Sequence, residues 1–144
     1  RNAYFWNKES KSFNKSERPV IYNSVQQENR PLVKQKEADL NGNSISEIYS
    51  LNDNKLTIKE NSKTISQNFL KLSTVDFALA NVNQEENAEL ITIVEESTVR
   101  FVEVWQWEEN QFVKKWRSDE GNFSSLEMET FGGEIYIVAN AQNS

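Results

Sequence analysis

Residues 99–116, VRFVEVWQWEENQFVKKW, decide the fold class of this chain. Apolar side chains alternate with polar ones on both sides of Glu108-Glu109-Asn110, and a period of two indicates β-strands rather than a helix. Asn tolerates the left-handed backbone that a tight turn requires. The segment therefore predicts a β-hairpin with strands at 99–107 and 111–116.

The same pattern continues outward in both directions. Residues 89–94 (ELITIV) and 134–139 (EIYIVA) are the other clear strands, and the second carries apolar side chains on both faces. Such strands are typical of stacked sheets. Weaker strands are predicted at 45–51, 55–59, 69–72 and 77–80.

Turn residues predict where the strands reverse direction. Hairpin turns are expected at Asn52-Asp53-Asn54, at Gly132-Gly133 and at Asn41-Gly42. Asp53 lacks the Gly and the distal Glu of a calcium-binding EF-hand, so it is predicted to be a plain turn residue. Residues 26–39 are polar and are predicted as a short helix or a long loop. Because no segment shows a sustained helical stripe, the expected fold class is all-β.

Composition narrows the possible functions. The chain has 144 residues with 37% hydrophobic content, which is enough for an ordered core. Its net charge of -6 argues against nucleic acid as a partner, and no apolar run is long enough for a membrane span. The start at Arg1, without Met or a signal peptide, leads us to expect a piece cut from a longer polypeptide.

Histidine and cysteine are both absent. This removes the commonest general base, the commonest transition-metal ligand, and all disulfides and thiolate sites. We therefore expect no enzyme activity, no cofactor and no metal. A catalytic pair of carboxylates on the surface is the least favoured alternative.

Three stretches of the chain share one pattern: an aromatic residue, any residue, a large apolar residue, a polar turn and another large apolar residue. A spacing of about 45 to 55 residues suits the four-stranded blade of a β-propeller. The predicted units are 1–44, which is degenerate, 45–98 and 99–144. The second and third units also share an Ala-Asn ending at Asn81 and Asn140. The anchors of the three copies are Tyr4, Trp6 and Phe13; Tyr49, Leu51 and Leu56; and Trp105, Trp107 and Phe112.

Aromatic residues at fixed positions would fill the space between neighbouring sheets, because one small twisted sheet cannot bury both of its faces alone. Core packing is therefore favoured over ligand stacking for Trp105, Trp107, Trp116 and Tyr136.

The third unit resembles the EAR (or EPTP) repeat. The features that match are Trp105, Trp107, Phe112, Phe131, Gly133, Tyr136, Ala139 and Asn140. Members of that family are secreted or cell-surface proteins, such as the leucine-rich glioma-inactivated proteins and insect eggshell proteins. Their seven repeats form a seven-bladed propeller that binds protein partners. The resemblance implies that this chain supplies about three antiparallel four-stranded blades, with the remaining blades on the same or a companion chain. No binding residue of the family can be transferred.

Two functions follow from this resemblance. The first is that of an extracellular protein-binding propeller segment, acting in adhesion or receptor binding. The second is that of a structural component of a secreted matrix or eggshell. The chain also has two N-glycosylation sequons, at Asn14 and Asn122, and Asn122 beside a turn is the better candidate.

Overall fold

The structure, a computed structural model, describes residues 2–15, 33–65, 72–83 and 87–141. Within these residues the chain forms twelve β-strands and no helix, so the all-β expectation is confirmed. The strands are β1 (Asn2–Asn7), β2 (Ser12–Lys15), β3 (Val33–Ala38), β4 (Glu47–Asn52), β5 (Lys55–Glu60), β6 (Lys63–Thr64), β7 (Ser73–Ala80), β8 (Glu89–Glu96), β9 (Val99–Glu108), β10 (Gln111–Arg117), β11 (Phe123–Phe131) and β12 (Glu134–Ala141).

The strands make three antiparallel four-stranded sheets, as expected. Sheet 1 has the order β3-β4-β5-β6 and sheet 2 the order β7-β8-β9-β10, so each follows the chain. Sheet 3 has the order β11-β12-β1-β2 and joins the two ends of the chain. Its central pairing sets Asn2 opposite Ala139 and Phe5 opposite Tyr136. The three sheets do not close into a ring.

Two-residue turns with positive φ connect many of the strands. Asp53 and Asn54, Glu109 and Asn110, and Gly132 and Gly133 all have φ between 50° and 80°. Two consecutive positive φ values match the right-handed twist of the flanking strands. These three predicted turns are therefore confirmed. Asn41-Gly42, by contrast, lies in the longer loop 39–46 between β3 and β4.

Sheet 2 lies between the other two sheets and packs on both. One face contributes Phe77, Leu90, Trp105 and Phe112 to a core shared with sheet 1 (core 1–2). The other face contributes Ile91, Ile93, Val102 and Val104 to a core shared with sheet 3 (core 2–3). All six residues from Glu89 to Val94 are buried, which explains why this strand is apolar on both faces.

The outer faces of the stack differ. On β4 and β5 of sheet 1 the side chains that point away from core 1–2 are polar and solvent-accessible, apart from Ile48 at 40% exposure. On sheet 3 the outer face carries a small buried cluster of Ala3, Tyr136 and Val138, with Phe5 stacked on Tyr136 at 5.7 Å between ring centroids. The polar face marks sheet 1 as one end of the stack.

Some sequence predictions need correction. Residues 33–38 form strand β3 rather than a helix or loop, because β4 offers them a full ladder of backbone partners from Val33 to Ala38. The rest of that segment, 26–32, lies outside the described residues. The same holds for 69–71 of the predicted strand 69–72, whereas Leu72 is in a bend before β7.

The sheets are also out of phase with the predicted units. The expected boundary between residues 98 and 99 falls in the turn that joins β8 to β9, inside sheet 2. The hairpin is held there by seven paired positions, from Leu90 opposite Trp105 to Glu96 opposite Val99. Sheets 1 and 2 therefore each comprise residues from two neighbouring sequence units, and sheet 3 comprises residues from the first and the third.

Candidate functional site

A cleft of about 330 Å³ opens between the outer strands of sheets 2 and 3. Sheet 3 contributes the β1–β2 hairpin, with Trp6 and Phe13. Sheet 2 contributes Val104 and Gln106 from β9 and Trp116 from β10. Its volume falls at the lower end of the range of about 300–1,000 Å³ that is typical of ligand pockets.

Three aromatic rings form a continuous wall in this cleft. Trp6 and Phe13 meet edge to face at 5.1 Å between centroids, and Phe13 and Trp116 meet at 5.3 Å. Tyr4 supports the row from core 2–3, edge to face with Trp116 at 5.0 Å. Such pairs add packing energy beyond their buried area, so the wall holds its shape without a ligand.

Polar groups complete the lining. Glu108 and Lys115 form an ion pair, and both line the cleft. Glu89 is buried and accepts the backbone N–H of Val82 at 2.9 Å through its Oε1. Within the described residues, the side-chain amide of Gln106 makes no hydrogen bond.

A buried carboxylate fixes how the three sheets meet. The carboxylate of Asp76 on β7 accepts a hydrogen bond from each of the other two sheets. One comes from the ammonium of Lys34 on β3 at 2.9 Å, and the other comes from the backbone N–H of Leu126 on β11 at 2.8 Å. Lys34 also donates to the carbonyl of Phe77. Because Asp76 is 1% exposed, water screens this contact little. The first strands of all three sheets are therefore tied to one side chain.

Two further buried carboxylates close the loops that precede β4 and β8. Glu47 Oε1 accepts the N–H of Leu40 and Glu89 Oε1 accepts that of Val82, each seven residues earlier in the chain. Glu47 also accepts the hydroxyl of Tyr49 at 2.8 Å, and its Oε2 is buried without a partner. Burial raises the pKa of Glu47, although the hydrogen bonds from Leu40 and Tyr49 oppose this change. Burial also raises the pKa of Tyr49.

This loop motif was missed in the sequence, although a signal for it was present. Residues 38–41 read Ala-Asp-Leu-Asn and residues 80–83 read Ala-Asn-Val-Asn, and each is followed by a glutamate, Glu47 or Glu89, at the same spacing. The repeat pattern of the sequence is defined by aromatic residues, which do not recur at this spacing.

The predicted repeat anchors take two different positions. Tyr4 and Trp6 lie on the third strand of sheet 3, and Trp105 and Trp107 lie on the third strand of sheet 2. Phe13 and Phe112 follow on the fourth strands of these sheets. The anchors of the first and third copies therefore lie on equivalent strands of their sheets.

The second copy is displaced by one strand. Tyr49 and Leu51 lie on β4, the second strand of sheet 1, and Leu56 lies on the third. Likewise Asn81 follows a first strand, whereas Asn140 lies on a second strand. The physical reason is that a strand with an aromatic-x-apolar pattern fits any position between two sheets, so this pattern does not fix the strand order.

Most of the remaining predicted residues are in the cores. Trp105 is 7% exposed and donates its indole N–H to Thr92 at 3.1 Å, and Tyr136 is 5% exposed. Trp107 packs against core 1–2. Of the sequon residues, Asn122 is exposed just before β11, whereas Asn14 is half-buried on β2.

Two searches of the described residues gave no site. No group of three or more His, Cys, Asp or Glu residues is placed to hold a metal ion there. None of the described segments is a helix that is long and apolar enough to span a membrane.

Comparisons with known proteins add no relative: no family model, no curated protein and no solved structure matches the chain. The EAR resemblance thus stays a prediction.

Proposed function

We propose that this chain is an extracellular protein-binding module, that its three sheets are blades of the propeller type, and that it acts by binding rather than catalysis. The observation that carries the binding proposal is the cleft between sheets 2 and 3, with its aromatic wall of Trp6, Phe13 and Trp116. Exposed or half-exposed aromatic residues beside polar groups are enriched where proteins bind one another.

The sheet arrangement supports the blade interpretation. Each sheet is a four-stranded antiparallel meander, and the first strands converge on Asp76. The last sheet is completed by a hairpin from the opposite end of the chain, which leaves no sheet in the described part of the chain with fewer than four strands. The polar outer face of sheet 1 argues against a further blade on that side, because a packed blade needs two apolar faces. We therefore propose an open stack and not three blades of a seven-bladed ring.

Secretion is the second part of the proposal, and it rests on the exposed sequon at Asn122. When the chain is expressed through a secretory pathway, its intact mass should fall after glycosidase treatment. The Asn122→Gln variant should lose this mass change, and Asn14→Gln should keep it. A mass that glycosidase leaves unchanged would remove the support from glycosylation.

The binding proposal can be tested by photo-crosslinking. A photoreactive amino acid replaces Gln106 in the cleft or, as a control, Ser50 on the polar face of sheet 1. Incubated with secreted and cell-surface proteins, position 106 should give a discrete adduct that position 50 does not. The captured protein, made recombinantly, should bind the chain and bind the Trp6→Ala/Trp116→Ala variant weakly. Equal labelling from both positions would contradict the proposal.

A further inference from the structure

The cleft offers hydrogen-bond donors that have no acceptor among the described residues. Trp6 and Trp116 line it, and neither indole N–H donates to another residue in the described part of the chain. The amide of Gln106 on β9 is equally unpaired there. Trp6 and Trp116 are half-buried, and a buried Trp N–H usually has a partner, so a ligand that covers these rings must supply acceptors to the free donors.

The same cleft offers apolar ring surface next to these donors. The rings of Trp6, Phe13 and Trp116 run in a row from β1 and β2 across to β10. A ligand that fits must therefore present acceptors and compact apolar groups in alternation, with few donors of its own.

We propose that the cleft binds an extended proline-rich segment of the protein partner, held in the polyproline II conformation. This inference rests on the protein-binding function proposed above. A polyproline II helix has no internal hydrogen bonds, so its carbonyl groups remain available as acceptors. Proline lacks the backbone N–H, and its ring supplies the apolar surface. Such segments bind in aromatic-lined grooves at low entropic cost because they are already extended.

The charges at the mouth of the cleft refine the expected ligand. Lys115 is already paired with Glu108, whereas Lys11 is exposed and forms no ion pair with the described residues. A carboxylate on the ligand would therefore pair with Lys11. The segment that fits best has an Asp or Glu beside its prolines.

The test is a titration of the whole chain with two capped synthetic peptides. One is Pro-Pro-Glu-Pro-Pro-Pro, and the other is Gly-Ser-Glu-Gly-Ser-Gly, which has the same charge but no polyproline II preference. Tryptophan fluorescence and the indole N–H signals in NMR spectra report binding. The proline peptide should bind saturably, with a Kd on the order of 100 µM, and the Gly-Ser peptide should not.

Conservative variants locate the site. Trp116→Phe keeps an aromatic ring and removes one indole N–H, so the Kd should rise about five-fold, the value of one hydrogen bond. Trp107→Phe is the matched control, because Trp107 packs against core 1–2 on the opposite face of sheet 2 and should leave the Kd unchanged. Lys11→Gln should weaken binding of the Glu-containing peptide.

Three results would overturn the inference: no binding of the proline peptide to folded protein, equal binding of both peptides, or saturable binding of an oligosaccharide in place of the peptide. The crosslinking experiment tests the proposed function independently of this inference. If position 106 still crosslinks a protein, and the contacted segment contains no proline, the chain is a protein-binding module and only the inferred ligand class is wrong.

Discussion

Sheets 1 and 2 share a strand order, and in each a buried glutamate closes the loop before the second strand. They differ in how many residues of that second strand are buried. In β8 all residues from Glu89 to Val94 are buried, whereas in β4 burial alternates and Ile48 and Asn52 are exposed. The glutamates that close the preceding loops, Glu47 and Glu89, are equivalent. The strand order and the closed loop of a sheet are thus independent of its place in the stack. Burial of its second face does depend on that place, because only a sheet between two others is covered on both faces.

The largest test of this comparison uses the same substitution on both sheets. Ile93→Ala in β8 should lower the free energy of unfolding by about 2–5 kcal/mol, because it opens a cavity in core 2–3. Ile48→Ala on the outer face of β4 should cost no more than about 0.5 kcal/mol. Urea unfolding measures both. Similar losses would mean that another sheet covers sheet 1.

The junction between the sheets should give the next largest effect. Asp76→Asn should cost about 2–3 kcal/mol, because the neutral amide of Asn has one acceptor oxygen in place of two, so either the ammonium of Lys34 or the buried N–H of Leu126 then faces an NH2 group. Lys34→Met removes the tie to sheet 1 and leaves the buried carboxylate of Asp76 without its cation, so a loss of about 2–3 kcal/mol is expected here as well. A loss below about 0.5 kcal/mol from either variant in urea unfolding would refute this assignment of Asp76.

The strands and turns could be predicted from the sequence because they depend on local patterns. The alternation in 99–116 gave β9 and β10, and Glu109-Asn110 gave the turn between them. The four-stranded sheets were expected instead from the spacing of about 45 to 55 residues between the repeat copies. The strands and turns involve residues close in sequence, where side-chain period and turn chemistry act directly.

Neither the assignment of strands to each sheet nor the position of the site could be predicted. Sheet 3 joins β1 to β12 across nearly the whole chain, and no local pattern identifies such a partner. No sequence pattern distinguishes Asp76 from the other acidic residues, although in the structure it accepts hydrogen bonds from Lys34 and Leu126. Trp116 packs against core 2–3, in line with its interpretation as a core residue, but it also lines a cleft that exists only when sheets 2 and 3 pack.

The hydrogen bond by which Glu47 closes the loop before β4 can be tested by pH. Glu47 has a raised pKa in the folded state, so folding binds its proton more tightly, and this contribution to stability is present at low pH. As pH rises from 4.5 through the raised pKa, it is lost, at about 1.4 kcal/mol for each unit by which the pKa is raised. Glu47→Gln removes this titration, so the variant should become more stable relative to the wild type over that pH range.

Thermal unfolding between pH 4 and pH 8 measures this difference. Glu120→Gln is the control, because Glu120 is exposed and the substitution removes the same charge. A stability difference that stays constant with pH for Glu47→Gln would show that the pKa of Glu47 is the same in the folded and unfolded states and is not raised by burial.

The smallest expected effect concerns the tight turns of the two sheets. The β4–β5 turn of sheet 1 has Asp53 and Asn54, and the β9–β10 turn of sheet 2 has Glu109 and Asn110, all with φ between 50° and 67°. Asn and Asp tolerate this left-handed region better than Glu does. Glu109→Asn should therefore raise the free energy of unfolding by about 0.5 kcal/mol, whereas Asp53→Asn should change it little. Glu120→Asn, outside any positive-φ position, controls for the lost charge in the same urea titrations. If Glu109→Asn raised the free energy of unfolding no more than Glu120→Asn does, the glutamate would not strain the backbone of the β9–β10 turn. The two turns would then be energetically equivalent.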